Sequence, residues 1–551
     1  MFVVNSTSGS GSLLAAVYSH SASVGNALFI SSLGIYLHAV FVSLTLGFPL
    51  AILAWLVGWY RSGDGLYLRY AKTLTGVWVV NFALGVVTGT VVEFGLLDIW
   101  PTSILLFSGP AFVPLFFEAT IAFIGEAVLV GLFVLGVGRW RARYTLSILL
   151  GAWLLGSLSG YFILATNAWM NVPWGVGGLP SALYPFLPSY GPEAANVTTV
   201  LTVAALVLNK TLAGAGSAAL ASPGFTRRVG PLFSDPWLAL TNPDAVSTTV
   251  HTLLAAYAVG LGAVAAALAV RYVRTRDAAY LKLLRPVLWV LAVVVLAQPV
   301  TGHFMGEDVV HFQPLKFTAY VALTSGPEIY GYEVHNPVEA LVAYGDPGRP
   351  IPGFRYYMER CGALGNATFG DLYRRLDPGA LPYLGPFANV SLADNCRAAV
   401  EALVPLAPAV SAMYYAMVGA GVLLATAALL VVFGFLTRVP VLSAAADYVN
   451  YRVLGRVVGG DNVLPFLAVA MAVLSAVAAS AGWAAREVGR QPWTVYGLFT
   501  TNEVVTSVEV SPGFAAFVSA VLLAVAALGA AAMYYTATRH GLIDRLRGGH
   551  G

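Results

Sequence analysis

Residues 115–133 read LFFEATIAFIGEAVLVGLF, an apolar run that carries Glu118 and Glu126 inside it. About 20 such residues cross the ~30 Å hydrocarbon core of a bilayer as a helix. An unpaired carboxylate there costs at least about 2.5–3.5 kcal/mol. Something must offset that cost, so the run asks what its two acids do as much as where it sits.

The rest of the chain supplies the setting. Its 551 residues are 58% apolar and 10% charged, with a mean hydropathy of +0.76. An ordinary globular chain is about 25% charged. A deficit spread over the whole length means an all-α polytopic membrane protein. The net charge of +3 says little by itself. No basic patch or recognition motif supports nucleic-acid binding. Residues 1–24 have neither a basic n-region nor a clear cleavage site, so no signal peptide is expected.

Nine apolar runs reach spanning length: 25–58, 73–94, 108–137, 145–170, 246–270, 286–302, 409–437, 464–484 and 513–536. Seventeen of the 29 basic residues follow odd-numbered runs in short segments, among them Arg61, Arg139, Arg271, Arg438 and Arg539. The positive-inside rule then puts the N-terminus outside and the C-terminus in the cytoplasm. A tenth apolar stretch, 198–221, is interrupted by Asn209 and Lys210 and reads as an outer-face or re-entrant segment. Three regions result: an N-terminal six-helix membrane region (1–302), a large outer loop between helices six and seven (303–408), and a C-terminal three-helix region (409–551). The loop holds both cysteines, Cys361 and Cys396, a candidate disulfide in an oxidising compartment. It also holds the sequons Asn366-Ala-Thr and Asn389-Val-Ser. No internal repeat is evident, which weighs against an inverted-repeat transporter.

Few ionisable groups lie within the nine cores: His38, Glu118, Glu126 and His251, with Glu93 at the outer end of the second run. Such groups are functional candidates by default. His251 lies five residues into the fifth run and Met417 eight into the seventh, so both sit at comparable depth near the outer face. Imidazole plus thioether is the ligand set of a six-coordinate electron-transfer haem. His38 and Glu118 lie deeper. On a straight helix Glu126 is a further ~12 Å along and about 80° around from Glu118. The plain alternative is that each histidine hydrogen-bonds a neighbouring helix and Met417 only packs. A rival from another class is a secondary transporter using Glu118 and Glu126 as proton-coupled groups.

Several blocks together resemble subunit I of the cytochrome bd quinol oxidases: YLHAVFVSLTLG (36–47), VNFALGVVTGTVVEF (80–94), the 110–133 region and FILATNAWM (162–170). Further along come NPDAVSTTVHTLLAAY (242–257), GHFMGEDVVHFQPLK (302–316) and GWAAREVGRQPW (482–493). The resemblance covers most of the chain and implies a terminal oxidase that takes electrons from quinol and reduces oxygen to water. It implies three haems: a low-spin haem b, a high-spin haem b, and haem d or a haem b in its place.

By the same resemblance, His251 and Met417 are axial ligands of the low-spin haem, and His38 and Glu118 match ligands of the two high-spin haems. Glu126 and Glu487 match acidic positions near the di-haem centre. Arg490 suits a haem propionate, with Trp493 and Glu93 in the haem environment. Gln313 and Lys316 match the quinol-oxidising loop; the bland reading of Lys316 is a solvated loop charge. The chain departs from the pattern twice. Tyr415 stands where the family carries an Arg two residues before the Met, and Val321 where it carries a Glu five residues after the Lys. Glu307 and Asp308 are nearby acids that could replace that Glu. These departures leave open a diverged oxidase with another donor. The resemblance further implies a second membrane subunit, in some members small accessory subunits, and a prokaryotic plasma membrane.

Overall fold

A computed structural model describes residues 10–107, 109–213, 235–437, 439–506 and 508–538. Among the described residues, nine helices are long and apolar enough to cross a membrane. We label them α1 (Ala22–Ser62), α2 (Gly65–Ile99), α3 (Phe112–Gly136), α4 (Ala142–Asn171) and α5 (Pro243–Thr275). Then follow α6 (Ala279–Phe312), α7 (Ala407–Val431), α8 (Val463–Val488) and α9 (Pro512–Thr538). All nine expected spans are present. The sixth is much longer than its apolar core, because α6 continues through polar residues to Phe312. The stretch after residue 197 forms a helix, Val197–Ala213, of 17 residues. The rest of that expected segment, and Arg438 and Arg539 with the basic residues after it, lie outside the described residues.

The helices end where the sequence says they should. Ser21 caps α1 by accepting from the Val24 N–H, and Gly63 closes it in the left-handed conformation with φ 71°. Asn242 caps α5, directly before a proline at its first turn. Outward apolar side chains such as Phe116, Ile124, Val128 and Leu135 on α3 are about half exposed. That suits a lipid-facing helix surface, since hydrocarbon replaces water as the solvent there.

Two four-helix groups stand side by side. In the first, α1 packs on α2 and α4, and α3 packs on α4. Stacked Phe82 and Phe123, and Trp78 edge-on to Phe133, close the ring between α2 and α3. In the second, α5 packs on α6 and α8, and α7 packs on the same two. Thus α1 and α3 occupy diagonal corners of one bundle, and α5 and α7 diagonal corners of the other. Helix α9 lies against α1 and α2. Between the bundles, α1 and α5 cross at backbone contact: a Cβ added to Gly47 would lie 2.5 Å from the Gly260 Cα. Small residues at a crossing are how membrane helices gain close packing without a hydrophobic driving force. Buried donors are satisfied across helices, as where Asn81 donates to the Phe41 carbonyl at 2.8 Å and Trp55 to the Leu283 carbonyl at 2.9 Å.

The structure reveals a repeat that the sequence hides. His38 precedes Gly47 by the same nine residues that separate His251 from Gly260. Each histidine is bonded to a threonine 50 residues on, Thr88 or Thr301. Each threonine is followed by a glycine, Gly89 or Gly302, against the imidazole. The α1–α2 hairpin and the α5–α6 hairpin are therefore two copies of one unit meeting at the Gly47–Gly260 crossing. Both first helices run the same way, so the repeat is parallel and not inverted.

The segment between α6 and α7 folds into short helices, and its buried Phe354, Tyr357, Val400 and Leu403 share a core with Tyr184, Tyr190 and Trp493 from outside the segment. Cys361 and Cys396 are joined as a disulfide across 35 residues, linking the helices Phe354–Cys361 and Leu392–Leu403. Closing a loop of that length constrains the unfolded chain by roughly 3–4 kcal/mol.

Candidate functional site

His38 and His251 are held in matching ways. The His38 Nδ1 lies 3.2 Å from the Thr88 hydroxyl, which itself donates to the Leu84 carbonyl at 2.9 Å. The His251 Nδ1 lies 3.1 Å from the Thr301 hydroxyl, which donates to the Gln298 carbonyl at 3.1 Å. With the hydroxyl proton committed to a carbonyl, each threonine accepts from Nδ1–H, leaving Nε2 as the nitrogen with a free lone pair. That is how an outer hydrogen bond fixes the tautomer of a metal-ligating histidine. The glycines make room for the rings. A Cβ at Gly89 would be 2.9 Å from the His38 Cε1, and one at Gly302 would be 3.1 Å from the His251 Cε1.

Met417 occupies α7, diagonal to the α5 helix that carries His251. It lies ten residues after the start of its helix and His251 eight after its own, roughly 15 and 12 Å of rise. Its sulfur packs on α8 where Gly482 leaves space; a Cβ there would come within 2.6 Å of the Sδ.

Glu118 and Glu126 differ from the straight-helix expectation. Residues Glu118–Ala122 form a π-helical turn between the α-helical pieces Phe112–Phe117 and Phe123–Gly136. One π turn takes up one extra residue, about 100° of rotation. The expected 80° offset is thereby largely cancelled, and both carboxylates meet the same face of α4. Glu118 accepts from Ser159 at 2.9 Å. The Glu126 carboxylate lies against Gly156, three residues earlier, where an added Cβ would meet its Oε1 at 2.6 Å. Glu126 is buried, at 6% exposure. The acids are still displaced along the helix, yet they share a wall.

At one end of the second bundle lies a buried polar cluster. Arg486 donates through Nη2 to Asp244 at 2.7 Å and through Nε to Asn167 at 3.1 Å. Asn167 donates to Glu487 at 3.0 Å, and Glu487 pairs with Arg490. Asn171 receives the Lys316 ammonium at 2.7 Å. Lys316 is 0% exposed, so the solvated-charge reading fails. Burial holds its ammonium well below the usual lysine range, and the Arg486 charge adds to that effect. Trp493 is buried against Tyr184 and Tyr496. Glu93 is not part of this cluster; it is exposed on α2, within electrostatic reach of Glu118.

Several atoms of this cluster are buried without a hydrogen-bond partner among the described residues: Arg486 Nη1, Arg490 Nε, the Tyr496 hydroxyl and both amide atoms of Gln313. Native interiors rarely leave such groups unmet. Unmet guanidinium atoms suit carboxylates such as haem propionates. With two imidazoles whose Nε2 is free, a thioether, and glycines cleared beside all three, the donor set fits haem. Among the described residues no group of three or more His, Cys, Asp or Glu side chains could hold a bare metal ion.

Sequence reasoning missed Thr88, Thr301, Asn167, Asn171, Asp244 and Arg486. The one available signal was the Thr-Gly pair recurring 50 residues after each intramembrane histidine.

These features define a class: a polytopic α-helical membrane protein whose bundle interiors carry oriented imidazoles, carboxylates and cations. Within it, the family description "Cytochrome bd terminal oxidase subunit I" matches residues 29–541, and the chain belongs to that family. It is similar to the cytochrome bd ubiquinol oxidase subunit 1 of Bacillus subtilis, at 23% identity over 85% of this chain and 83% of that one. The Escherichia coli cytochrome bd-II ubiquinol oxidase subunit 1 is 36% identical over 144 residues, 25% of this chain and 27% of its own. The bd oxidase structure from Geobacillus thermodenitrificans shares the fold, with a TM-score of 0.63 over 94% of this chain and 99% of that one, at 19% identity. Family membership makes this a multi-pass protein of the prokaryotic plasma membrane. It implies haem cofactors and a partner subunit II, and it sets aside the proton-coupled carrier.

Proposed function

We propose that this chain is the subunit of a terminal oxidase that oxidises quinol at the outer membrane face and reduces oxygen to water. The observation that supports this best is the repeated constellation of an imidazole tied at Nδ1 by a threonine and cleared by a glycine, once in each bundle. His251 and Met417, on diagonal helices of the second bundle, would hold a low-spin haem b. His38 and Glu118 would hold the high-spin pair, a haem b with haem d or a second haem b, and by the resemblance Glu487, which pairs with Arg490, would serve the same centre. Arg490 and Arg486 would offer their unmet nitrogens to propionates. The haems supply one-electron transfer and the oxygen chemistry, while the protein supplies ligation, orientation and proton access.

Sidedness does the energy conversion. With the N-terminus outside and the C-terminus in the cytoplasm, the 303–408 loop faces outward, and Gln313 and Lys316 line the quinol end. Quinol protons leave on that side. The protons consumed in forming water come from the cytoplasm, and Glu126, buried beside Gly156, relays them. A membrane potential follows without a pump. The test is the purified complex with its subunit II. It should consume oxygen on addition of quinol, and His251→Ala should abolish the low-spin haem signal in a reduced-minus-oxidised spectrum. An unchanged spectrum would refute that ligand assignment.

A further inference from the structure

We propose that Glu339 is the carboxylate that takes the quinol proton at the outer site; the inference rests on the quinol-oxidase reading above. Two observations carry it. The first is a directed chain of hydrogen bonds. Asn336 donates to the Thr324 hydroxyl at 3.1 Å, Thr324 shares a 2.6 Å bond with the Tyr415 hydroxyl, and Tyr415 donates to Glu339 Oε1 at 2.6 Å. Tyr415 gives its one proton to the carboxylate, so the chain is complete when the Thr324 hydroxyl turns its own proton from the Val321 carbonyl to Tyr415, and it ends on an acceptor. Glu339 is only 8% exposed although it belongs to a loop helix, Pro337–Tyr344. Tyr415 lies two residues before Met417 on α7, and its neighbour Tyr414 stacks on Tyr320, at the end of the short helix that begins beside Gln313 and carries Lys316. The carboxylate is therefore tied to both parts of the proposed quinol end.

The second observation is the face that the same helix turns outward. Val338, Leu341 and Val342 are 70%, 53% and 55% exposed. Leu323, next to Thr324, is exposed as well, and the helix packs against α6. An apolar face beside a membrane helix, with a carboxylate directly behind it, suits a substrate that arrives dissolved in the bilayer.

The chemistry balances within the overall reaction 2 QH2 + O2 → 2 Q + 2 H2O. Each quinol loses two electrons to the oxidase and two protons to the outer side. A quinol O–H bond breaks as the Glu339 carboxyl O–H forms; Glu339 then discharges to water on the loop side and takes the second proton in turn. The two acids closer in sequence to the site are engaged elsewhere. Glu307 pairs with His303 at 3.4 Å in an exposed contact, and Asp308 accepts from Ser247. Val321 is fully buried and contributes only its carbonyl to Thr324.

The test compares two donors on the whole complex in nanodiscs. Short-chain ubiquinol and short-chain menaquinol each require deprotonation. Tetramethyl-p-phenylenediamine with ascorbate delivers single electrons and releases no proton. Glu339→Gln should lower kcat with quinol by about 10²-fold or more, the usual range for a lost general base, with oxygen uptake from the amine within about twofold of wild type. Glu339→Asp should restore part of the quinol rate. If Glu339→Gln does not assemble, Tyr415→Phe serves, with a quinol-selective loss expected. Equal quinol rates in wild type and variant, or equal loss with both donors, would overturn the proposal alone. A wild-type complex that uses the amine but neither quinol would overturn the quinol-oxidase reading and this proposal with it.

Discussion

Replacing Thr301 by valine removes one hydroxyl at nearly constant volume and isolates what that hydroxyl does for His251. The Thr301 Oγ1 is 3.1 Å from Nδ1 and donates to the Gln298 carbonyl, so its lone pair faces the imidazole N–H. An imidazole whose distal N–H is hydrogen-bonded is a stronger electron donor and stabilises the ferric state of a bound haem. Loss of a net hydrogen bond of about 0.5–1.5 kcal/mol translates, for a one-electron couple, into a rise of about 20–65 mV in midpoint potential. Loss of the threonine acceptor also weakens haem retention, by about 10–100-fold in affinity on the scale of other outer-shell changes. The assay is a spectroelectrochemical titration of the low-spin haem band in purified complex, with Thr301→Ser as the control that keeps the acceptor. Thr88→Val in the other bundle should shift the high-spin signals and leave the low-spin band in place. An unchanged midpoint with unchanged haem content in Thr301→Val would refute the reasoning, as would a shift of the wrong band by Thr88→Val.

Other perturbations read other parts of the account. Glu126→Gln should slow oxygen reduction by about 10²-fold or more while haem content is largely kept; normal turnover would sink the relay role. Burial pushes the Glu503 carboxyl up to about 7, against the opposing pull of its bonds to Thr500. Its neutral form is therefore favoured in the folded state, and that contribution is whole below the ordinary pKa of about 4.3 and lost as pH rises to about 7. The difference is roughly 3–4 kcal/mol. The unfolding temperature should fall between about pH 4 and 7 and the fall should flatten in Glu503→Gln; an identical slope in the variant would count against it. Replacing both Cys361 and Cys396 by alanine should lower stability by roughly 3–4 kcal/mol, read as an earlier melt of the outer region; an unshifted melt would show that the loop core alone suffices.

Much of the fold was legible because a bilayer imposes simple rules on a sequence. Long apolar runs must be helices, and all nine stand where hydropathy puts them. The intramembrane histidines and carboxylates stood out because burying them is costly. What stayed hidden depended on backbone detail or on partners distant in sequence. The relative angle of Glu118 and Glu126 was misjudged because no residue in EATIA announces a π turn. The parallel repeat escaped notice because its copies share only a histidine, a crossing glycine and a Thr-Gly pair among interchangeable aliphatics. The bland reading of Lys316 as a solvated charge stood beside the quinol-loop match because only the fold brings Asn171 to it. Arg486 and Asp244 are 242 residues apart and pair only when α5 and α8 pack. Glu339 sits in a loop helix with no motif of its own, and its link to Tyr415 spans 76 residues.

The central claim is that these bundles hold haem for oxygen reduction, and a haem count tests it most directly. Pyridine haemochrome analysis of the purified two-subunit complex, with a dithionite-reduced difference spectrum, should give three haems per complex, at least two of them haem b, and a low-spin band that disappears with His251→Ala. A complex with no Soret absorption, or with a single haem that survives loss of both His38 and His251, would contradict the account.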